Sequence, residues 1–241
     1  MFVRDAGSGP AVALLHALPY DSRMWNHQFA RLSQAHRVFA PDFPGFGRSP
    51  ALDASLSMES VARELLAHVD RARIARAIVA GCSMGGYLAF AIFRERPEFF
   101  AGFALIDSRA AADSQEAKDA RRALVQRAMT QGMSFLLEGA TDKDRDMLRD
   151  VTPQGYKAAQ QAIADRPDNT DLLPRIRVPS LVMRGADDPI VALAEARAIA
   201  SALPNCEFEE VPDAGHVAPL DKPQTVTSAL LRLAARCIPV G

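Results

Sequence analysis

Short apolar segments bounded by glycine, proline or aspartate alternate along this chain with longer segments of helical spacing. Continuous apolar runs are typical of strands buried in a parallel sheet, whereas apolar positions three and four apart indicate one face of a helix. The predicted strands are Ala11–His16, Arg37–Ala40, Ala77–Cys82, Phe103–Asp107, Ser180–Arg184 and Glu207–Val211. The predicted helices are Ser57–Arg71, Gly85–Arg94, Val191–Ala202 and Gln224–Arg236. Right-handed crossovers would place these helices on both faces of the sheet.

The pattern changes between about Ser114 and Asp171, where Ala, Gln, Arg, Lys and Asp become frequent and β-branched residues become rare. The apolar positions Ala120, Leu124 and Ala128 follow helical spacing there. Because this segment joins two core strands, it would leave the sheet at its carboxyl edge, where α/β proteins bind ligands. We therefore expect a core domain of residues 1–113 and 171–241 with a helical cap of residues 114–170. The alternative is a passive elaboration of the surface.

The composition fits one enzyme-sized domain and gives no sign of a charged macromolecular partner. With 241 residues, 49% of them hydrophobic, the chain can bury a substantial core. Its net charge is −1 and charges of both signs are interspersed, so neither nucleic acid nor an anionic membrane is expected as a partner. The sequence shows no signal peptide and no apolar run of bilayer length, so the expected location is the cytoplasm. Whether the protein is a monomer or a homodimer is left open.

The hexapeptide Gly81-Cys82-Ser83-Met84-Gly85-Gly86 lies between a predicted strand and a predicted helix. This context makes G-x-S-x-G a nucleophile elbow, in which a sharp turn exposes the serine hydroxyl above the sheet. Small residues on both sides let strand and helix approach each other. Ser83 is therefore the candidate nucleophile, and Cys82 is expected to be a core residue rather than a redox group.

A serine hydroxyl needs a base within hydrogen-bond reach, and that base needs an acid to orient it. His216 stands in the Gly/Pro-rich loop after the last predicted strand and is the candidate base, whereas His27, His36 and His68 fall in helix or surface settings. Three aspartates follow strands at the same edge, and they are Asp107, Asp187 and Asp188. The order Ser, Asp, His along the chain favours Asp188 as the acid, with Asp107 and Asp187 kept as alternatives.

Acyl transfer also needs donors for the developing oxyanion. The loop Leu14-Leu15-His16-Ala17-Leu18-Pro19 leaves a predicted strand at the same sheet edge, so we expect the backbone N–H groups of Leu18 and Met84 to serve. His16 is expected to fix this loop by a hydrogen bond. The loop after Pro41, with Asp42, Gly45 and Gly47, is expected to border the pocket. Candidate pocket residues are Tyr20, Trp25, Met129, Met133, Phe135 and Leu136.

No sequence motif implies a cofactor or a metal. The chain contains neither G-x-G-x-x-G after its first strand nor G-x-x-x-x-G-K-[ST], and no histidine pair has metal-ligand spacing. Its three cysteines, Cys82, Cys206 and Cys237, are odd in number and widely spaced, which argues against a disulfide framework.

Taken together, these motifs resemble the α/β-hydrolase superfamily over about residues 9–236. Gly81–Gly86 and Asp107-Ser108-Arg109-Ala110 are similar to the branch of 3-oxoadipate enol-lactonases and small carboxylesterases. The resemblance implies an α/β-hydrolase fold with a mostly parallel sheet of about seven strands, flanked by helices, and a small helical cap. Two positions depart from the family pattern: Ala17 replaces the glycine of the usual His-Gly pair, and the N-terminus is too short for a full leading hairpin.

Because position 83 is a serine, the resemblance favours cleavage of a small carboxylic ester or lactone over the chemistry of relatives that use aspartate there. Two alternatives stay open. In the first, the same three residues hydrolyse a C–C bond or catalyse perhydrolysis. In the second, the protein binds a ligand without catalysing a reaction. The sequence does not specify the acyl or alcohol group of the substrate.

Overall fold

The computed structural model describes residues 1–51, 56–138 and 140–237, without the side chains of residues 142 and 143. Its strands form a sheet of seven in the order β1-β3-β2-β4-β5-β6-β7, in which β1 is antiparallel to β3 and the other pairs are parallel. The strands are β1 Val3–Ala6, β2 Ala11–Leu15, β3 Arg37–Pro41, β4 Ala77–Cys82, β5 Phe100–Ile106, β6 Ser180–Gly185 and β7 Cys206–Val211. The predicted fold class and strand number are confirmed.

Nine α-helices connect or flank these strands within the described ranges. They are α1 Asn26–Leu32, α2 Met58–Arg71, α3 Met84–Glu95, α4 Gln115–Gln131, α5 Asp142–Leu148, α6 Pro153–Ala164, α7 Leu193–Ala202, α8 Ala218–Asp221 and α9 Pro223–Cys237. None of these helices is long and apolar enough to cross a membrane. The four predicted helices are present with ends shifted by one or two residues, while α1 and α8 were not predicted.

Helices cover the sheet on both faces, which explains why its central strands read as unbroken apolar runs. Along β4, Val79 packs in the core layer beneath α2 and α3, whereas its neighbours Ile78 and Ala80 pack in the layer beneath α1 and α9. Every residue of β4 is buried as a result. This rigid centre carries the turn that follows Cys82.

Helix α2 illustrates how local sequence and core packing agree. Its N-terminus is closed by a capping box, in which the Ser57 hydroxyl accepts from Ser60 N–H at 3.1 Å while Ser57 N–H donates to the Ser60 hydroxyl at 3.0 Å. The apolar stripe that includes Val61 and Leu65 then faces the core. The predicted start at Ser57 is thus the cap of the helix.

Helices α4, α5 and α6 all lie in the connection from β5 to β6, within the segment predicted as an insertion. A buried ion pair closes the base of this segment, where Arg166 donates to Asp113 at 2.8 Å and both side chains are 1% exposed. Arg121 of α4 donates to the other oxygen of Asp113, and the Arg166 guanidinium lies 4.0 Å from the ring centre of Tyr87 on α3. The predicted domain limits also include residues 52–55, 139 and 238–241, which lie outside the described residues.

Candidate active site

Ser83 occupies the turn between β4 and α3, and its backbone is left-handed with φ 49° and ψ −112°. Such a φ is costly for a residue with a side chain and is retained where surrounding contacts enforce it. The neighbouring glycines explain how the turn fits: a Cβ at Gly85 would lie 2.1 Å from the Leu15 carbonyl oxygen, and one at Gly81 would lie 2.3 Å from the backbone of Gly85. The elbow geometry is therefore built by close backbone packing.

The Ser83 backbone is held by the adjacent strand and by a side chain to which the sequence analysis assigned no role. Ser83 N–H donates to the Ile106 carbonyl at 3.0 Å, which extends the pairing between β4 and β5. The hydroxyl of buried Ser108 donates to the Ser83 carbonyl at 2.7 Å. Ser108 lies two residues after the end of β5 and could have been noticed for that reason, although its hydrogen-bond partner could not.

The side chains of Ser83, His216 and Asp188 form a continuous chain of hydrogen bonds. His216 Nε2 lies 2.8 Å from Ser83 Oγ, and His216 Nδ1 lies 2.9 and 3.0 Å from the two carboxylate oxygens of Asp188. Because an ionised carboxylate only accepts, Nδ1 carries the proton in the neutral ring and Nε2 accepts from the serine hydroxyl. The arrangement can move a proton from the hydroxyl to the imidazole.

Asp188 is placed to remain ionised although its side chain is fully buried. Burial raises its pKa, but the hydrogen bond from His216 and the N–H groups of Ile190 and Val191 outweigh burial and leave the pKa below its ordinary value. Those two amides reach Asp188 Oδ1 at 2.7 and 3.2 Å. A negative charge is thus available beside the imidazole ring.

The structure separates the three candidate acids. Asp188 alone of the three contacts the His216 ring, whereas the side chain of Asp187 is exposed. Asp107 is buried with φ 48°, and its oxygens accept from backbone N–H groups of Gly185 and Ala218. Burial, opposed by those two amides, raises the pKa of Asp107 to about 6.

His16 joins the loop after β2 to the loop after β3. Its Nε2 accepts from Phe43 N–H at 2.9 Å, so Nδ1 bears the proton and donates to the Ala17 carbonyl at 3.0 Å. Complete burial lowers the pKa of His16, which favours this neutral ring. The placement agrees with a loop-fixing function, because His16 contacts neither Ser83 nor His216 by a hydrogen bond.

The two backbone groups expected to receive an oxyanion are available for binding. Leu18 lies in the loop that His16 fixes, and Met84 begins α3 directly after Ser83. Neither N–H donates a hydrogen bond to another residue in the described part of the chain. Met84 lies at the first position of its helix, where N–H groups have no intrahelical acceptor.

The loop after β3 is shaped by the buried carboxylate of Asp42. Asp42 Oδ1 accepts from Ser22 N–H and Oδ2 from Arg48 N–H, each at 2.8 Å. The loop passes close to the inserted segment, since a Cβ at Gly155 on α6 would lie 2.7 Å from the Gly45 carbonyl oxygen. Asp42 therefore shapes a turn that touches the base of α6.

The predicted pocket residues fall into different environments. Trp25 exposes 0% of its surface and packs in the core beneath α1 and α9, so it has no surface with which to line a pocket. Met129 of α4 is 47% exposed. Met133, Phe135 and Leu136 are half-buried against the core, and so is Tyr20. Burial raises the pKa of Tyr20, and the carboxylates of Asp144 and Asp221 raise it further.

Two remaining expectations concern other polar side chains. Cys82 is fully buried and burial raises its pKa well above the ordinary value, which places it in the core as expected. The setting of His36 was predicted wrongly, because it is 6% exposed and its Nδ1 lies 3.3 Å from the Leu32 carbonyl oxygen. The residues described contain no group of three or more His, Cys, Asp or Glu side chains placed to hold a metal ion.

Comparison with known proteins finds esterases and enol-lactonases of similar sequence and structure. A thermophilic esterase from Thermogutta terrifontis is 35% identical, with a TM-score of 0.92 over 98% of this chain and 93% of that one. The enol-lactonase from Burkholderia xenovorans LB400 is 28% identical, with a TM-score of 0.85 over 97% and 96%. Among curated proteins, 3-oxoadipate enol-lactonase 1 of Acinetobacter baylyi is 24% identical over 90% of this chain and 85% of its own. Since the model of the alpha/beta hydrolase family matches residues 12–229, the chain belongs to that family.

Proposed function

We propose that this protein is a serine hydrolase that cleaves a small carboxylic ester or lactone through an acyl-enzyme. The observation that carries the proposal is the unbroken hydrogen-bonded chain from Ser83 Oγ through His216 to Asp188. The likeness to an esterase at 35% identity supports the same class of reaction.

In the proposed mechanism His216 Nε2 takes the hydroxyl proton as Ser83 Oγ attacks the ester carbonyl carbon. Asp188 holds the ring with Nδ1–H toward itself and stabilises the imidazolium. The backbone N–H groups of Leu18 and Met84 donate to the oxyanion, and each such donor commonly supplies about 2.7–4 kcal/mol of transition-state stabilisation. His216 then protonates the leaving alcohol.

Deacylation repeats these steps with water in place of the serine hydroxyl. His216 Nε2 removes a proton from water, the resulting hydroxide attacks the acyl carbonyl, and His216 returns the proton to Ser83 Oγ as the acid product leaves. In a lactone the alcohol stays attached to the acyl group, so a single product is released.

We further propose that residues 114–170 act as a cap over the substrate and that the half-buried side chains of Met133, Phe135 and Leu136 contribute its apolar lining. Tyr20 would add a wall on the core side. Methionine and aromatic side chains suit an adaptable acyl or alcohol pocket. The proposed pocket excludes Trp25 because of its complete burial.

The test is hydrolysis of p-nitrophenyl acetate by the wild type and by Ser83→Ala. We expect a burst of p-nitrophenol from the wild type and a loss of kcat of at least about 10⁴-fold in the variant, because a triad acts as a unit. Ser201→Ala is the matched control, since Ser201 is exposed at the end of α7. A phosphonate inhibitor should add one covalent group to Ser83, detected by mass spectrometry. Turnover by Ser83→Ala equal to that of the wild type would end the proposal.

A further inference from the structure

Asp107 is a buried carboxylate that the proposed mechanism leaves without a role. It follows β5, and its Oδ1 accepts from Gly185 N–H at 2.7 Å while its Oδ2 accepts from Ala218 N–H at 2.8 Å. Gly185 is the last residue of β6 and begins the turn to Asp188, and Ala218 begins α8 just after His216. One side chain is therefore bonded to both segments that carry the imidazole and its acid.

We propose that Asp107 is a positioning residue that holds the Asp188 loop and the His216 loop at the separation needed for proton transfer. The inference rests on the proposed serine hydrolase function and extends it to a fourth side chain. Asp107 acts through His216 and Asp188 and does not touch the substrate.

The chemistry of the contact explains why an aspartate serves here. Two backbone N–H groups approach from two different chain segments, and each needs its own acceptor. A carboxylate supplies two acceptor oxygens, whereas an asparagine supplies one oxygen and an NH₂ group that can only donate. Replacing Asp107 by asparagine would therefore leave one of the two amides facing another donor.

Two features of Asp107 are unfavourable for the free energy of folding. The backbone of Asp107 is left-handed with φ 48°, a conformation that is unfavourable for a residue with a Cβ. The side chain is also removed from water, which raises the pKa of Asp107 even though the Gly185 and Ala218 amides, and the nearby His216, favour the ionised form. Asp188 and the Cys82 thiol are the other titratable groups that interact with it. Both costs are consistent with a positional requirement.

Other hydrogen bonds connect the same loops and should keep the fold intact without Asp107. Asp187 N–H donates to the Ala214 carbonyl at 2.9 Å, and Ala186 N–H donates to the Val211 carbonyl at 2.8 Å. Within the His216 segment, Gly215 N–H also donates to Asp221 of α8 at 2.8 Å. Loss of the Asp107 contacts should therefore shift the two loops relative to each other rather than unfold them.

The experiment compares kcat and KM for p-nitrophenyl acetate in wild type, Asp107→Asn and Asp107→Ala, with each kcat divided by the active-site concentration titrated with a phosphonate. We expect kcat per titrated site to fall about 10-fold to 100-fold in Asp107→Asn and further in Asp107→Ala, with KM within about twofold, because small displacements of catalytic groups cost rate more than binding. Asp187→Asn is the matched control, since it removes the same charge from the exposed neighbour of Asp188 and should keep the wild-type kcat.

Two outcomes would overturn this inference and leave the proposed function intact. One is a kcat per titrated site within about twofold of wild type in Asp107→Asn; the other is a reduced titre with normal turnover at the remaining sites, which would mark a purely structural residue. If the wild type itself gives no burst, or Ser83→Ala retains it, the proposed function fails instead.

Should the Asp107 variants not fold, NMR of the wild type tests the same contacts. The chemical shifts of the Gly185 and Ala218 amide protons should change with pH at the same midpoint as the chemical shift of the Asp107 side-chain carboxyl carbon. The carboxyl carbon of Asp188 and the ring of His216 report their own midpoints and separate their effects. If neither amide follows Asp107, the inference is wrong.

Discussion

At the scale of single residues, two adjacent strands end in the same unusual way. Ser83 after β4 and Asp107 after β5 both have a left-handed backbone although neither is a glycine. The conformation of Ser83 was predictable, because the glycines around it indicate a tight turn before a helix. That of Asp107 was not, because nothing beside this residue in the sequence distinguishes it from the other two aspartates at that edge.

The choice among the three aspartates shows what the sequence could supply. Chain order favoured Asp188, and in the structure it is Asp188 that contacts His216 Nδ1. Which backbone amides face Asp107 depends on contacts between residues 78 and 111 positions apart. Such contacts leave no local pattern of spacing or hydropathy, so the sequence could name Asp107 only as an alternative acid.

The raised pKa of Asp107 predicts how stability changes with pH. Its carboxyl ionises near pH 6 in the folded protein and near its ordinary value of 3.8 in the unfolded chain. Between these values the folded state binds more protons, so this group's contribution to the free energy of unfolding falls as pH rises, by about 3 kcal/mol in all. Urea unfolding at several pH values should show the stability of wild type relative to Asp107→Asn declining from pH 4 to 6 and constant above. A difference that stays constant, or grows with pH, would contradict the assigned pKa.

At the scale of secondary structure, all six predicted strands are present, with limits that differ from the predicted ones by up to three residues. β4 matches its predicted limits Ala77–Cys82, and each of its residues is buried. The outer strand β1, Val3–Ala6, was missed because it is half exposed and contains Arg4 and Asp5, which break any apolar run. Its pairing with β3 comes from the fold rather than from its own composition.

The junction of β4 with α3 predicts contrasting effects of two glycine substitutions. Gly85→Ala should lower the free energy of unfolding by about 3 kcal/mol or more, because the new Cβ would meet the Leu15 carbonyl oxygen at 2.1 Å. Alanine is otherwise the better helix former, so the clash alone would account for the loss. Gly132→Ala meets nothing within 4 Å and should cost only the backbone strain of φ 77° and ψ −167°, about 1–3 kcal/mol and less than the loss in Gly85→Ala. Thermal unfolding of both variants measures the contrast, and equal losses would argue against close packing at the elbow.

At the scale of the whole molecule, composition located the insertion but not its attachment to the core. The segment is closed at its base by Asp113 and Arg166, which are 53 residues apart, and Arg166 also lies against Tyr87 of the helix that follows Ser83. Burial raises the pKa of Asp113, but Arg121 and Arg166 outweigh burial and hold that pKa below its ordinary value. A buried ion pair between such distant residues has no signature in a single sequence.

Asp113→Asn should loosen the inserted segment from the core. The variant removes a buried negative charge that faces two arginines, and breaking a buried pair in this way typically costs about 3–5 kcal/mol. We expect lower stability in urea, faster proteolytic cleavage within α4 to α6 and a raised KM for p-nitrophenyl acetate.

The matched control for that variant is Asp119→Asn on α4. Asp119 pairs with Arg122 on the exposed surface, with the two side chains 58% and 66% exposed. Loss of a surface pair of this kind costs no more than about 1 kcal/mol. If Asp113→Asn behaved like this control, the buried pair would contribute nothing to holding the segment.

The separation of 133 residues between Ser83 and His216 has a consequence for how the protein recovers from denaturant. Helices form from neighbours in the chain, whereas parallel strands must first close long loops, and the latter is the slow process. Ester cleavage should therefore return later than circular dichroism at 222 nm during renaturation. Local helical structure should recover first, and activity should return only when the distant segments that carry Ser83 and His216 have packed together.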